Sequence, residues 1–150
     1  MKIAVFIFGN NSNLNWDFLS ELNCDVYTSI YDVHLTYCWK DCLKKVGDKE
    51  YDIIVLSNSN NQITTTTNYE NFLTYTKESA LYSTRSIYYT EIDDFWIDED
   101  FLMGSFNVIS TLINSLPDKI NSPSEIGQVI VDLGYYVDVV RDVQIKTRKI

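Results

Sequence analysis

The densest reactive chemistry in the chain is Glu91-Ile92-Asp93-Asp94-Phe95-Trp96-Ile97-Asp98-Glu99-Asp100-Phe101, six carboxylates within ten residues, interleaved with large apolar side chains. Crowded carboxylates repel one another unless protons or a divalent cation neutralise them. Oxygen-only ligands suit Mg²⁺ or Mn²⁺, and either ion would in turn hold a diphosphate. One of the carboxylates could instead act as general base toward an attacking hydroxyl. The competing reading is a solvated acidic loop pinned by Phe95, Trp96 and Phe101, and spacing alone favours it.

Other chemistries are poorly served. Cys38 and Cys42 stand one helical turn apart, but a zinc site needs four ligands, and only Cys24 and the single histidine, His34, remain to complete it. Buried structural thiols are the better reading of the cysteines. A lone histidine makes a Ser-His-Asp or Cys-His arrangement improbable, and His34 begins a helical pattern where it reads as a surface or capping residue. There is no Walker loop and no G-x-G-x-x-G, which argues against NTPase and dinucleotide-binding readings.

The 150 residues amount to one domain, 1–150, and a 45% hydrophobic, 14% aromatic composition predicts a packed core. Twelve basic against 21 acidic residues leave a net charge of −9, which excludes general nucleic-acid binding and disfavours anionic membranes. The opening run Lys2 to Phe8 lacks a cleavage site and is too short to span a bilayer, so a cytoplasmic protein is expected.

Stepping along the chain, residues 2–8 read as a strand buried on both faces, ending at Gly9. Asn10 to Asn13 is a polar turn, and Leu14, Phe18, Leu19 and Leu22 have helical spacing. Cys24 to Ser29 reads as a second strand. Leu35, Cys38, Trp39, Cys42, Leu43 and Val46 form a helical stripe that Gly47 stops. Tyr51 to Leu56 is a third buried strand. This β-α-β-α-β order predicts an α/β fold of three layers, a mostly parallel sheet with helices on both faces. Residues 57–68 read as a polar loop leaving the carboxyl end of the third strand, where open α/β sheets bind ligands. Residues 69–79 are ambiguous, and 80–84 and 86–90 look like strands. Phe106 to Leu116 is a helix, Ser122-Pro123-Ser124-Glu125 a capping box for the next, and Gly134 its stop. Tyr135 to Ile145 reads as a final strand. The tail gathers Arg141, Lys146, Arg148 and Lys149, by default a solvated edge, with contact to a phosphorylated ligand as the sharper idea.

Several pieces in order carry a resemblance. They are the strand Lys2 to Gly9, the strand Cys24-Asp25-Val26-Tyr27-Thr28-Ser29, and the helix around Tyr37-Cys38-Trp39-Lys40 leading to Tyr51-Asp52-Ile53-Ile54-Val55. The acidic-aromatic stretch, the turn Glu99-Asp100-Phe101-Leu102-Met103-Gly104-Ser105 and the helix start Pro123-Ser124-Glu125 follow. In this the chain resembles the small sugar transferases of capsule and lipopolysaccharide synthesis, found in phages and bacteria, with the nucleotide-diphospho-sugar transferase (GT-A) fold. The resemblance implies a shortened GT-A-like fold and a nucleotide-sugar donor. Gly9, Asn10, Asn58 and Asn60 would then line the donor pocket, Asp93 and Asp94 would hold Mg²⁺ or Mn²⁺, and Glu99 or Asp100 would be the base for the acceptor hydroxyl.

Where that family carries Arg-x-Arg-x-Asp, this chain has Leu56, Asn58 and Asn60. The arginine usual after the first glycine is replaced by Asn10, Asn11 and Ser12. Two functions follow: a glycosyltransferase-like protein acting on a nucleotide-diphospho-sugar, or a non-catalytic, truncated relative that binds carbohydrate or a protein partner.

Overall fold

A run of six apolar residues can be buried only if a sheet covers it on both sides and layers cover it above and below. The computed structural model describes residues 2–9, 15–16, 24–29, 34–65, 75–83, 86–89, 94–97, 101–122, 124–139 and 143–147. In it, strand β1 (Ile3–Phe8) has every residue buried. The other strands are β2 (Asn15–Trp16), β3 (Cys24–Ser29), β4 (Ile53–Asn58), β5 (Asn61–Thr65), β6 (Ala80–Ser83), β7 (Ser86–Tyr89), β8 (Asp94–Ile97), β9 (Phe101–Ser105), β10 (Tyr136–Val139) and β11 (Val143–Thr147). The helices are α1 (Leu35–Val46), α2 (Phe106–Ser115) and α3 (Ser124–Asp132).

The main sheet has the order β10-β6-β9-β4-β1-β3. β3, β1 and β4 are mutually parallel, β9 runs against both β4 and β6, and β10 is parallel to β6. The fold is therefore α/β with a mostly parallel, mixed sheet. β9 enters with Phe101 opposite Ser57, so the chain comes into β9 at the end of the sheet where β4 finishes.

Alternation along the strands splits the core in two. Ala4, Phe6, Phe8, Ile54 and Leu56 share one cluster with Trp39 and Cys42 of α1, Ile109 and Leu112 of α2, and Ile126 and Ile130 of α3. Ile3, Val5, Ile7, Ile53 and Val55 join Ile63, Tyr75, Phe101 and Met103 in the other. Both faces of the sheet are thus covered, giving the three layers expected, and the described helices all lie on the first face.

Local signals explain the helix ends. Gly47 takes φ +61° after α1, a conformation L-residues disfavour. Ser105 Oγ accepts the Val108 N–H at 3.3 Å to begin α2, and Glu125 Oε2 accepts the Ser122 N–H at 3.4 Å in the expected capping box of α3. His34 occupies the N-cap of α1 without a side-chain cap bond.

Three expectations need correction. The polar stretch 57–68 contains β5, because Asn61 and Ile63 alternate into the interior and pair with strands from distant parts of the chain. The segment Phe101 to Ser105 is a buried strand rather than a turn. The final strand is two, β10 in the main sheet and β11 in a small sheet of order β11-β5-β2. Asn15 and Trp16 form β2, while the remaining helical positions expected there, Leu14, Phe18, Leu19 and Leu22, lie outside the described residues.

Cys42 is fully buried, and desolvation pushes its thiol from 9.0 up to about 12. The folded state therefore holds this proton more tightly than the unfolded chain. The associated stability is complete below the unfolded value and is lost as pH rises from about 9 to about 12. Burial raises Tyr51 in the same sense. Thermal denaturation across this range should show a falling Tm, and Cys42→Ala should shrink that alkaline fall although it lowers Tm at neutral pH. An equally steep fall in the variant would remove Cys42 from the account.

Candidate functional site

In an open sheet, a crevice forms at the carboxyl ends of two neighbouring parallel strands whose connections leave in opposite directions. Here the pair is β1 and β4: β1 leads to β3 on one side, while β4 leads away on the other. Phe8 lies opposite Asn58 on one flank and Ser29 on the other, so Ser29, Phe8 and Asn58 form one row across the strand ends.

The loops after the two strands are tied together. The Ser59 N–H donates to the Phe8 carbonyl at 2.8 Å. Asn58 Oδ1 accepts the Asn60 N–H at 2.9 Å, an Asx turn that fixes the chain direction after β4. Beneath it, buried Asn61 Nδ2 donates to Ser57 Oγ at 3.2 Å. Gly9 adopts φ +125°, and a Cβ there would lie 2.7 Å from Ser59 Oγ and 3.1 Å from Asn58 Oδ1. Only glycine allows the two loops to approach this closely. The structure therefore brings Gly9, Asn58 and Asn60 together, as expected from the sequence. Asn10 lies outside the described residues.

Three buried polar atoms near these strand ends have no hydrogen-bond partner among the described residues: Ser29 Oγ, Ser59 Oγ and Trp39 Nε1. Ser29 and Ser59 end or follow strands at the crevice. Trp39 packs edge-on against Phe8, with ring centroids 6.0 Å apart. A buried unpaired donor costs about 1–3 kcal/mol, so each such group calls for an explanation, a bound ligand or water among them. None of the three was singled out from sequence. The hydroxyls look like ordinary loop serines there, and Trp39 looks like one more apolar position of the α1 stripe.

The acidic segment is only partly placed. Asp93, Glu99 and Asp100 lie outside the described residues, and Asp94 is described by its backbone alone, as the first residue of β8. β8 pairs antiparallel with β7 and packs against α3. Asp100 immediately precedes Phe101 in sequence, and Phe101 enters β9 opposite Ser57, one residue before Asn58. Among the described residues, no group of three or more His, Cys, Asp or Glu is arranged to hold a metal ion. The described crevice groups are hydroxyls, amides and backbone, all neutral, and a Mg²⁺ or Mn²⁺ site would need carboxylates from outside them.

The opposite end of the sheet holds different chemistry. A cavity of about 810 Å³ there is lined by Glu50, Asp52, Glu78, Ser105, Phe106 and Asn107, among others. Three carboxylates make it unfavourable for an anion. Beside it, Tyr51 Oη donates to Asp25 Oδ2 at 2.6 Å and meets Tyr27 Oη at 2.5 Å. Burial, then these hydrogen bonds, drive the Tyr51 hydroxyl well above its ordinary range, so it stays protonated. With Lys2 Nζ 5.1 Å from the centre of the Tyr51 ring, this cluster locks β3 to the start of β4.

No protein-family model and no curated protein matches the sequence. Among solved structures the chain is similar to A197 from STIV, with a TM-score of 0.58 at 9% identity, over 99% of this chain and 86% of that one. At that identity the likeness speaks to the fold alone.

Proposed function

We propose that this protein is glycosyltransferase-like and binds a nucleotide-diphospho-sugar in the crevice between Gly9 and Asn58–Asn60. The observation that carries the reading is the junction itself. A glycine at φ +125° lets two strand ends meet beside a buried serine hydroxyl that has no partner among the described residues, at the place where α/β sheets take ligands. The sequence resemblance supplies the ligand class, and the acidic lining of the cavity at the other end makes that cavity the poorer host for a diphosphate.

In this reading Asn58 fixes the turn, and Ser59 and the backbone amides beside it bind polar groups of the donor. Asp93 and Asp94 would supply the carboxylates for Mg²⁺ or Mn²⁺, which would offset the charge of the leaving diphosphate. Glu99 or Asp100, just ahead of β9, would take the proton from the acceptor hydroxyl.

Thermal shift and calorimetry with UDP-, GDP- and CDP-sugars, each with and without Mn²⁺, test the proposal. One of them should stabilise the protein, and Asn58→Ala should weaken binding about tenfold by loosening the turn, roughly the effect of one hydrogen bond. Stabilisation that needs Mn²⁺ and disappears in the Asp93→Asn/Asp94→Asn variant supports the transferase form. Metal-independent binding supports the non-catalytic binding module instead. Absence of any nucleotide-sugar binding by the folded protein would reject the transferase reading.

A further inference from the structure

Where one strand covers another, the side chains that meet are expected to be apolar, and along most of β4 they are. Ile53 and Val55 share one core cluster with Ile63 of β5. The two-residue period of a strand carries the first row on to Ser57, and the second back from Ile63 to Asn61. Both of these polar residues are fully buried, and Asn61 Nδ2 donates to Ser57 Oγ at 3.2 Å. Two apolar side chains would fill the same space without the cost of desolvating an amide and a hydroxyl. A polar pair at this point calls for a role besides packing.

What the pair holds is one peptide unit. The Ser57 hydroxyl that accepts from Asn61 donates to the Asn58 carbonyl at 3.3 Å. The other end of that peptide, the Ser59 N–H, donates to the Phe8 carbonyl at 2.8 Å. The Asn58–Ser59 peptide is thus pinned at both ends, and the next N–H, that of Asn60, is taken by Asn58 Oδ1 at 2.9 Å. A peptide held in this way sets the place of the Ser59 side chain, whose hydroxyl lies against Gly9. That hydroxyl is the buried one with no partner among the described residues.

We infer that Asn61 is a positioning residue of the crevice: acting through Ser57, it fixes the Asn58–Ser59 peptide and so aims the Ser59 hydroxyl at the ligand. The inference rests on the crevice being a ligand site. Asn61 is itself fully buried and touches no ligand. Its amide occupies the accepting side of the Ser57 hydroxyl, which leaves the Ser57 proton for the Asn58 carbonyl. Without the amide, the hydroxyl turns freely and the peptide loses its hold at the carbonyl end.

The test uses the full chain with Asn61→Leu, Ser57→Ala and the double variant Ser57→Ala/Asn61→Leu. The readouts are Tm, calorimetric affinity for the UDP-, GDP- and CDP-sugars, and amide hydrogen exchange of Ser59 relative to Val55, a buried reference in the same strand. Removing one partner strands the other, so each single variant should lower Tm, whereas removing both should return it close to wild type. The double variant should nevertheless exchange its Ser59 amide about tenfold faster, with Val55 unchanged, and bind about tenfold more weakly, the loss of roughly one hydrogen bond. A purely structural pair predicts that exchange and affinity recover together with Tm, and that result overturns the inference. So does equal acceleration at Ser59 and Val55, whatever the Tm, and so does an Asn61→Leu variant with wild-type exchange and affinity. Should Asn61→Leu fail to fold, Ser57→Ala breaks the same link and is read in its place. If the wild-type chain binds no nucleotide sugar, the donor reading falls and Ser59 exchange in the double variant decides the inference alone: selective acceleration supports it, and unchanged exchange overturns it.

Discussion

Replacing Gly9 by valine should abolish nucleotide-sugar binding and lower stability by about 1–3 kcal/mol, the range for a residue forced into a sparsely populated backbone region. The cause has two parts. At φ +125° an L-residue is strained whatever space surrounds it, and here the added Cβ would fall 2.7 Å from Ser59 Oγ and 3.1 Å from Asn58 Oδ1. Relief requires the β1 and β4 loops to separate, which breaks the Ser59 N–H bond to Phe8 and opens the crevice. Gly134→Ala is the matched control. Gly134 also has positive φ, +77°, but nothing lies within 4 Å of its Cβ position. It should cost about 1–2 kcal/mol through strain alone and leave binding untouched. Calorimetric binding and thermal denaturation of the two variants check this. Equal binding by Gly9→Val and wild type would show that the loops need not touch.

Trp39→Ala should be the most destabilising single change. The side chain is fully buried, among the largest in the core, and packs edge-on against Phe8 of the central strand. Truncation of a buried Trp costs about 3–5 kcal/mol, a large share of the roughly 5–15 kcal/mol that holds a domain together. Denaturant unfolding should show a sharply lowered midpoint. Trp39→Phe separates packing from bonding, because it keeps a ring on Phe8 and removes only the indole N–H. That N–H has no partner among the described residues, so its loss should cost folding little and nucleotide affinity severalfold. A Trp39→Phe variant that binds at full strength would show that the indole takes no part in the site.

Much of the fold was legible because it is carried by unambiguous patterns. The apolar run of β1, the six-position stripe of α1 and the Ser122–Glu125 capping box each match a single element type. The stretch 57–68 misled for a physical reason: β5 is polar at every position but Ile63, and Asn61, polar itself, is buried beside it, so no apolar period marks a strand. The Gly104-Ser105 pair suggested a turn, yet Phe101, Leu102 and Met103 are buried on both sides of the sheet, and Gly104 sits inside β9. β11 was run together with β10 as one strand ending at Ile145, since only its pairing with β5 sets it in a different sheet.

The site was legible by halves. Gly9, Asn58 and Asn60, which the resemblance singled out, lie side by side at the strand ends. Ser29, Ser59 and Trp39 carry no sequence signal, since what distinguishes them is burial without a partner among the described residues. The pairing of β11 with β5 joins residues about eighty positions apart, which no spacing rule reveals.

Amide hydrogen exchange of the intact chain, with and without a saturating nucleotide-diphospho-sugar, tests the central claim most directly. The account predicts new protection confined to Phe8, Gly9 and Asn58 through Ile63. Protection that appears instead around Glu50, Asp52 and Asn107 at the other end of the sheet, or no protection anywhere, would contradict it.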